Sequence, residues 1–247
     1  MTRRRWIADE VNGNTAALIG DHALHLVRVL RASVGQEFDI ATGISVRRGT
    51  ITSISDTRVE FLLGEEHSIP PAPDLTLALA IFKFDRMEWA IEKCTELGVT
   101  RIIPVIAQRT DSHLATAAAK RRERWQRLAL QASEQSRRAA PPEIAAPIKL
   151  RDFCSAGNPQ AVGEAPPPAP ARKIVLAESE NDTPLRDTLD SQPSSVVLAV
   201  GPEGGWTADE LKWFRKEGWI AASLGNTILR AETAAIVATA LALDALR

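Results

Sequence analysis

Apolar and polar positions alternate in short runs along this chain, and the character of the alternation changes near residue 70. Before that point the apolar residues fall in β-prone runs at 37–41, 46–54 and 59–63, separated by Gly35, Thr42-Gly43 and Asp56. Strands of that length broken by turn residues predict a small β-barrel. One helix precedes them, with Asp21 placed to cap it and Leu24, Val27 and Leu30 recurring on one face. His67-Ser68-Ile69-Pro70-Pro71-Ala72-Pro73-Asp74 then stops both kinds of element, because proline fixes φ and removes a donor. A domain boundary is therefore placed between residues 70 and 71, with the proline run as a stiff spacer.

Beyond the boundary the runs lengthen and lose their charges. Residues 75–82 read as a strand buried on both faces. Asp85 and Glu88 open a helix with Met87, Ile91, Cys94 and Leu97 on one stripe, Gly98 ends it, and 101–106 is the next strand. Strand, helix and strand in that order imply a parallel sheet with helices on both faces. A helix over 117–135 turns Trp125, Leu128, Ala129 and Ala132 inward. Further strands are predicted at 173–177 and 196–200, with Thr183-Pro184 starting a helix whose first position is the proline. Thr207 and Glu210 have capping-box spacing, and Gly218 suits the position after that helix. Between Thr233 and Leu243 there is no charged residue, so the last helix should be buried on more than one side. One sheet covers only one side, which makes a second subunit the natural cover. Residues 157–172, rich in Pro and Ala without periodicity, read as an inserted mobile loop.

Composition changes this picture little. A chain of 247 residues, 45% of them apolar, can bury the core of one large or two modest domains. A net charge of −1 excludes no partner, since a nucleic-acid site needs only a local basic patch. Cys94 and Cys154 are too few for a disulfide framework, and His22 and His25 lack a third ligand nearby, so no metal site is expected. The charged start has no apolar signal core and no later run reads as a membrane span, so a cytoplasmic protein is expected. Basic residues do cluster. Arg3, Arg4, Arg5, Arg28, Arg31, Arg47 and Arg48 lie in the first segment, and Lys120, Arg121, Arg122, Arg124 and Arg127 crowd the first half of the 117–135 helix. Cations there oppose the helix dipole, and either an RNA backbone or a solvated face accounts for them.

Two loops carry the candidate chemistry. The strand at 196–200 opens into Gly201-Pro202-Glu203-Gly204-Gly205, where three glycines let the backbone approach a ligand. No Gly-Lys-Ser/Thr ending follows, and Glu203 would repel phosphate oxygens, so the loop suits a neutral or partly cationic ligand, or is simply a turn that needs glycine. About twenty residues on, Leu224-Gly225-Asn226-Thr227-Ile228-Leu229-Arg230-Ala231-Glu232-Thr233-Ala234 sets a fixed cation beside two aliphatic residues at the start of a helix. Glu232 is placed as its ion-pair neighbour.

This pair of motifs resembles the SPOUT superfamily of S-adenosylmethionine-dependent RNA methyltransferases, and more closely the bacterial 16S ribosomal RNA uridine-N3 methyltransferases. Lys83, Asp85, Arg86 and Glu88 are similar to the family's Lys-x-Asp-Arg-x-Glu stretch, with Phe84 where a small residue is usual. Thr95-Glu96-Leu97-Gly98-Val99 and Glu134-Gln135-Ser136-Arg137 resemble two further family stretches.

The resemblance implies an α/β fold. A small PUA-like β-barrel that binds RNA would occupy 1–70, and a SPOUT-like parallel sheet with a C-terminal trefoil knot would occupy 71–247. It implies S-adenosyl-L-methionine as cofactor, 16S ribosomal RNA or the small ribosomal subunit as partner, and a homodimer through the C-terminal helix. Gly201, Glu203, Gly204, Leu224, Gly225, Ile228 and Leu229 would frame the cofactor, with the loop near Glu178 as a third wall. Arg230 and Glu232 would be catalytic, Arg230 by stabilising charge on a uracil oxygen and Glu232 by orienting Arg230 or merely pairing with it. Arg4, Arg28, Arg31, Lys83, Arg86, Arg109, Gln135 and Arg138 would meet RNA. Two alternatives stay open at this point: an RNA-binding or assembly protein without catalysis, and a SPOUT methyltransferase acting on a different RNA.

Overall fold

A computed structural model describes residues 5–155, 171–190 and 193–247. The chain forms two compact units, Met1–Pro71 with Leu130–Pro141, and Ala72–Ala129 with Pro142–Arg247. The sequence places the break at 70/71, and the structure assigns 130–141 to the first unit as well. The physical reason is apolar: Leu130 packs with Ile7, Ala41, Val46 and Ile69, and the Arg5 guanidinium donates to the Arg137 carbonyl. The expected inserted loop at 157–172 lies, up to residue 170, outside the described residues, and Arg172 already belongs to a strand.

The first unit contains β1 (Arg5–Ile7), β2 (Glu10–Asn12), β3 (Thr15–Ile19), α1 (Asp21–Leu24), β4 (Glu37–Ala41), β5 (Val46–Ile54) and β6 (Arg58–His67). They form one curled sheet in the order β1-β4-β5-β6-β3-β2, with β1 parallel to β4 and every other pair antiparallel. Its core is Trp6, Leu18, Leu26, Ile40, Ile51 and Phe61. Gly49 is required there, because a Cβ would stand 2.5 Å from Ile40 Cγ1.

The helix differs from its expected form. Its N-cap is Gly20 rather than Asp21, and after one turn it widens into a π-helical turn, His25–Val29. The wider turn shifts the buried face to Ala23 and Leu26, leaving Leu30 exposed where a regular helix would bury it. Asp9 accepts hydrogen bonds from Ile19 N at 2.7 Å and from His22 at 3.1 Å, and Glu134 lies 3.9 Å from the other ring nitrogen of His22.

The second unit contains β7 (Asp74–Ala80), α2 (Phe84–Leu97), β8 (Arg101–Ile106), the first part of α3 (Ser112–Gln135), β9 (Glu143–Ile144), β10 (Ile148–Lys149), α4 (Leu150–Ser155), β11 (Arg172–Leu176), α5 (Leu185–Leu189), β12 (Ser195–Val200), α6 (Ala208–Lys216), β13 (Ile220–Ala222) and α7 (Ala231–Ala245). Every pairing is parallel, in the order β10-β8-β7-β12-β11-β13 with β9 beside β8. Side chains alternate faces along each strand. Leu75, Leu77 and Leu79 therefore meet α2, α3 and α7 on one face, while Ala78 and Ala80 join Phe153, Trp206, Phe214 and Trp219 on the other. Pro184 is the N-cap of α5 rather than its first residue.

Three of the cations early in α3 have intramolecular partners. Arg124 Nε donates to Glu88 Oε1 at 2.7 Å, Arg121 reaches the same oxygen and lies 4.8 Å over the Phe84 ring, and Arg122 donates to the Ile144 carbonyl. Phe84 meets Trp125 edge-on, so its bulk fills the contact between α2 and α3. Among the described residues no helix is long and apolar enough to cross a membrane.

Candidate functional site

Ligands of open parallel sheets bind beyond the carboxyl ends of the strands, where the connections fan apart. In the second unit the connections leaving β7, β11, β12 and β13 do this, and they wall a cavity of about 410 Å³. Its apolar wall includes Leu176, Leu224, Ile228 and Leu229, and its charged wall is Lys83, Arg86, Glu178, Glu203 and Arg230.

The glycine turn is held from behind. The Trp206 indole lies under Gly201, where an added Cβ would come 3.2 Å from Nε1, and its N–H donates to the Leu176 carbonyl at 3.0 Å. This ties the turn to the end of β11. Gly205 closes the turn at φ +68 with its N–H bonded to the Pro202 carbonyl.

The capping box forms as the sequence predicts, and its Glu210 does more than cap. That side chain is 1% exposed, its Oε2 accepts from Thr207 N at 2.8 Å, and its Oε1 accepts from Gln108 N at 2.6 Å. The connection after β8 is thereby fastened to the glycine turn, and the Arg109 guanidinium adds a bond to the Gly204 carbonyl. Gly204 consequently faces the Arg109 side chain and not the cavity, while Pro202 and Gly205 line it.

The second turn begins with Gly225 at φ +111, a conformation few other residues adopt, and ends on Arg230, the N-cap of α7. Arg230 is exposed on the cavity wall and makes no ion pair or side-chain hydrogen bond among the described residues. The expected pairing with Glu232 does not form. Arg230 is extended at the cap while Glu232 already follows the helix, so the two side chains leave the chain in different directions. Glu232 is 4% exposed with Oε2 unpartnered, and the nearest cation is Arg86, whose Nε is 3.8 Å from Oε1.

The predicted site residues therefore separate. Gly201, Glu203, Leu224, Gly225, Ile228, Leu229 and Arg230 share the cavity wall, joined by Lys83 and Arg86 from the residues assigned to RNA. Arg28, Arg31 and Gln135 are exposed in the first unit, and Arg138 is half-buried there, its guanidinium pushed down to about 10 by desolvation. Arg4 lies outside the described residues. Sequence reasoning misses Gln108, Asn181 and Trp206. Trp206 carries a signal in hindsight, a large aromatic directly after three glycines, whereas 176–181 carries none.

Residues 70–243 match the model of the RNA methyltransferase domain, and the chain belongs to that family. Within it the chain stands with the ribosomal RNA small subunit methyltransferases E. It is 34% identical over 222 residues to the protein of that name from Synechocystis, spanning 87% of this chain and 68% of the relative. The Rickettsia conorii protein of the same name is 33% identical over 230 residues, 90% of this chain and 87% of the relative. The crystal structure of a ribosomal RNA small subunit methyltransferase E from Neisseria gonorrhoeae bound to S-adenosyl methionine is similar throughout, with a TM-score of 0.80, 30% identity and coverage of 97% and 96% of the two chains.

Proposed function

We propose that this protein methylates N3 of a uridine in the 16S ribosomal RNA of the small ribosomal subunit, with S-adenosyl-L-methionine as methyl donor. The observation that carries the reading is the convergence of the glycine turn and the Leu224–Arg230 turn on one cavity. The residues fit the donor chemically. Aliphatic side chains and the open backbone at Gly201, Gly205 and Gly225 suit an adenosine, and the mixed cations and carboxylates suit a charged amino-acid moiety. When bound, S-adenosylmethionine supplies an electrophilic methyl group on a sulfonium.

The protein's own residues do the rest. The two turns orient the reactants, which matters most for an in-line displacement. Arg230, exposed on the wall and without an ion-pair partner among the described residues, stabilises the charge that builds on a uracil carbonyl oxygen as N3 gives up its proton. Glu232 acts through Arg86, next to which it is buried.

The reading extends to the remaining parts. The first unit serves as a PUA-like RNA-binding barrel, presenting Arg28, Arg31 and Gln135 to the substrate. The C-terminal segment runs through a trefoil knot, a reading supported by α7 returning from edge strand β13 to pack beneath β7 and β12. The α7 face with Ile236, Val237, Ala240 and Leu241 stays partly open, which supports a homodimer through this helix. Incubation with methyl-labelled donor and either small ribosomal subunits or transfer RNA, followed by nucleoside digestion, tests the reading. Label in 3-methyluridine from the small subunit is expected; label elsewhere would redirect the substrate assignment, and no label would remove the activity.

A further inference from the structure

We propose that Glu178 recognises the positive charge of the methyl donor, an assignment that rests on the cavity holding S-adenosylmethionine. Three carboxylates stand on or behind the cavity wall, and two of them are accounted for. Glu203 pairs with Arg86 at 2.8 Å, and Glu232 is buried with the same guanidinium 3.8 Å away. Glu178 is different. It lines the cavity from the connection between β11 and α5, is exposed, and has no ion pair or side-chain hydrogen bond among the described residues.

Its place is fixed by the backbone around it. Ala177 N donates to the Ala222 carbonyl at 3.0 Å and Glu180 N to the Ala177 carbonyl at 3.1 Å, so the residue sits on a tight turn anchored to β13. Across the gap, Gly205 is a neighbour of the carboxylate: a Cβ there would stand in ordinary contact, 3.8 Å from Glu178 Oε2. The carboxylate therefore stands beside the turn that frames the cavity, and both line it.

Charge accounting gives this position its meaning. Lys83 and Arg230 are cations on the same wall with no carboxylate partner among the described residues, and they disfavour a cationic ligand. The methyl donor carries a sulfonium and an α-ammonium, while its demethylated product keeps only the ammonium. Aliphatic walls do not distinguish these charge states, but a carboxylate in a partly desolvated cleft does. Among the described residues Glu178 is the carboxylate on that wall left without a partner, and so it accepts the cationic group.

The test is calorimetric titration of the wild type and Glu178→Gln with three ligands: S-adenosylmethionine, S-adenosylhomocysteine, and 5′-methylthioadenosine, which has neither cationic group. The glutamine variant is expected to bind S-adenosylmethionine about tenfold more weakly and methylthioadenosine unchanged, the size of one charge-assisted contact. A parallel loss for S-adenosylhomocysteine places Glu178 on the ammonium, and an undiminished S-adenosylhomocysteine affinity places it on the sulfonium; either supports the assignment. Unchanged affinity for S-adenosylmethionine, or an equal loss for all three ligands, overturns it. A wild-type protein giving no heat with any of them would instead remove the methyl-donor reading, and Glu178's role with it. Melting curves of the two proteins establish that the variant is folded.

Discussion

Arg86 Nη1 lies 2.8 Å from Glu203 Oε1, a contact spanning 117 positions in sequence. The same guanidinium faces the buried Glu232, so one side chain from α2 touches both the glycine turn and the helix that begins at Arg230. Arg86→Gln leaves the Glu232 carboxylate buried without a neighbouring cation and is expected to cost roughly 1–3 kcal/mol of stability. Adding Glu232→Gln removes the stranded charge and should recover part of the loss. A double-mutant cycle by urea unfolding measures the coupling, and additive costs would mean that the two side chains do not interact.

Arg230→Ala should separate chemistry from stability. The side chain is exposed and has no partner among the described residues, so the melting temperature is expected to stay within a degree or so, the usual range for such surface positions. Turnover should fall about 10²–10³-fold, the scale of losing one preorganised charge in a transition state. Single-turnover rates at saturating donor and RNA give the comparison, and unaltered rates would remove Arg230 from the mechanism.

Glu210→Ala strips acceptors from two backbone N–H groups, Thr207 and Gln108, and removes half of a capping box. The expected destabilisation is about 2–4 kcal/mol, combining a lost cap with buried unsatisfied donors. Donor affinity should weaken as well, because the Gln108 contact is one of the bonds that fasten the glycine turn to its neighbour. Denaturant midpoints and calorimetry read the two effects separately.

His22 provides a pH signature. Its pKa is raised, chiefly by the hydrogen bond to Asp9, with further help from the charges of Asp9, Glu134 and Asp21 against the cost of burial. A folded-state value above the unfolded one means the imidazolium stabilises the fold. That contribution is fully present below the ordinary histidine value of about 6.5 and is lost as pH rises through the folded-state value. Unfolding free energies across this window should decline with pH in the wild type and decline less in His22→Gln.

Legibility in the sequence followed the strength of local constraint. Strands β4, β5 and β8 appear at the limits their pattern predicts, because glycine, proline or turn residues bracket each. Strands β1, β2 and β3 carry no such pattern: two have three residues, and β3 turns small alanines inward. The capping box is a local motif and reads directly. The partner of Glu232 does not, since Arg86 is far away in sequence and only the folded sheet brings it near. Gly204 belongs to the motif yet faces Arg109, a distinction that depends on a turn's direction and not on its composition. Sequence leaves the arginines early in α3 as an RNA surface or a solvated face, and does not show that Arg121 and Arg124 share Glu88, which lies more than thirty residues away.

Most of the cavity wall is connection: the strands reach it only through their last residues, Leu176, Val200 and Ala222, and the helices only through their first turns. A strand in mid-sheet answers to neighbours on both flanks, as the six wholly buried residues of β12 do, whereas a connection answers mainly to its two ends. The chemistry thus rests on the most rewritable stretches of the polypeptide, carried by the least rewritable one. Exchanging a single connection, such as 177–184, offers protein engineers a route to altered ligand preference with the architecture beneath it left intact.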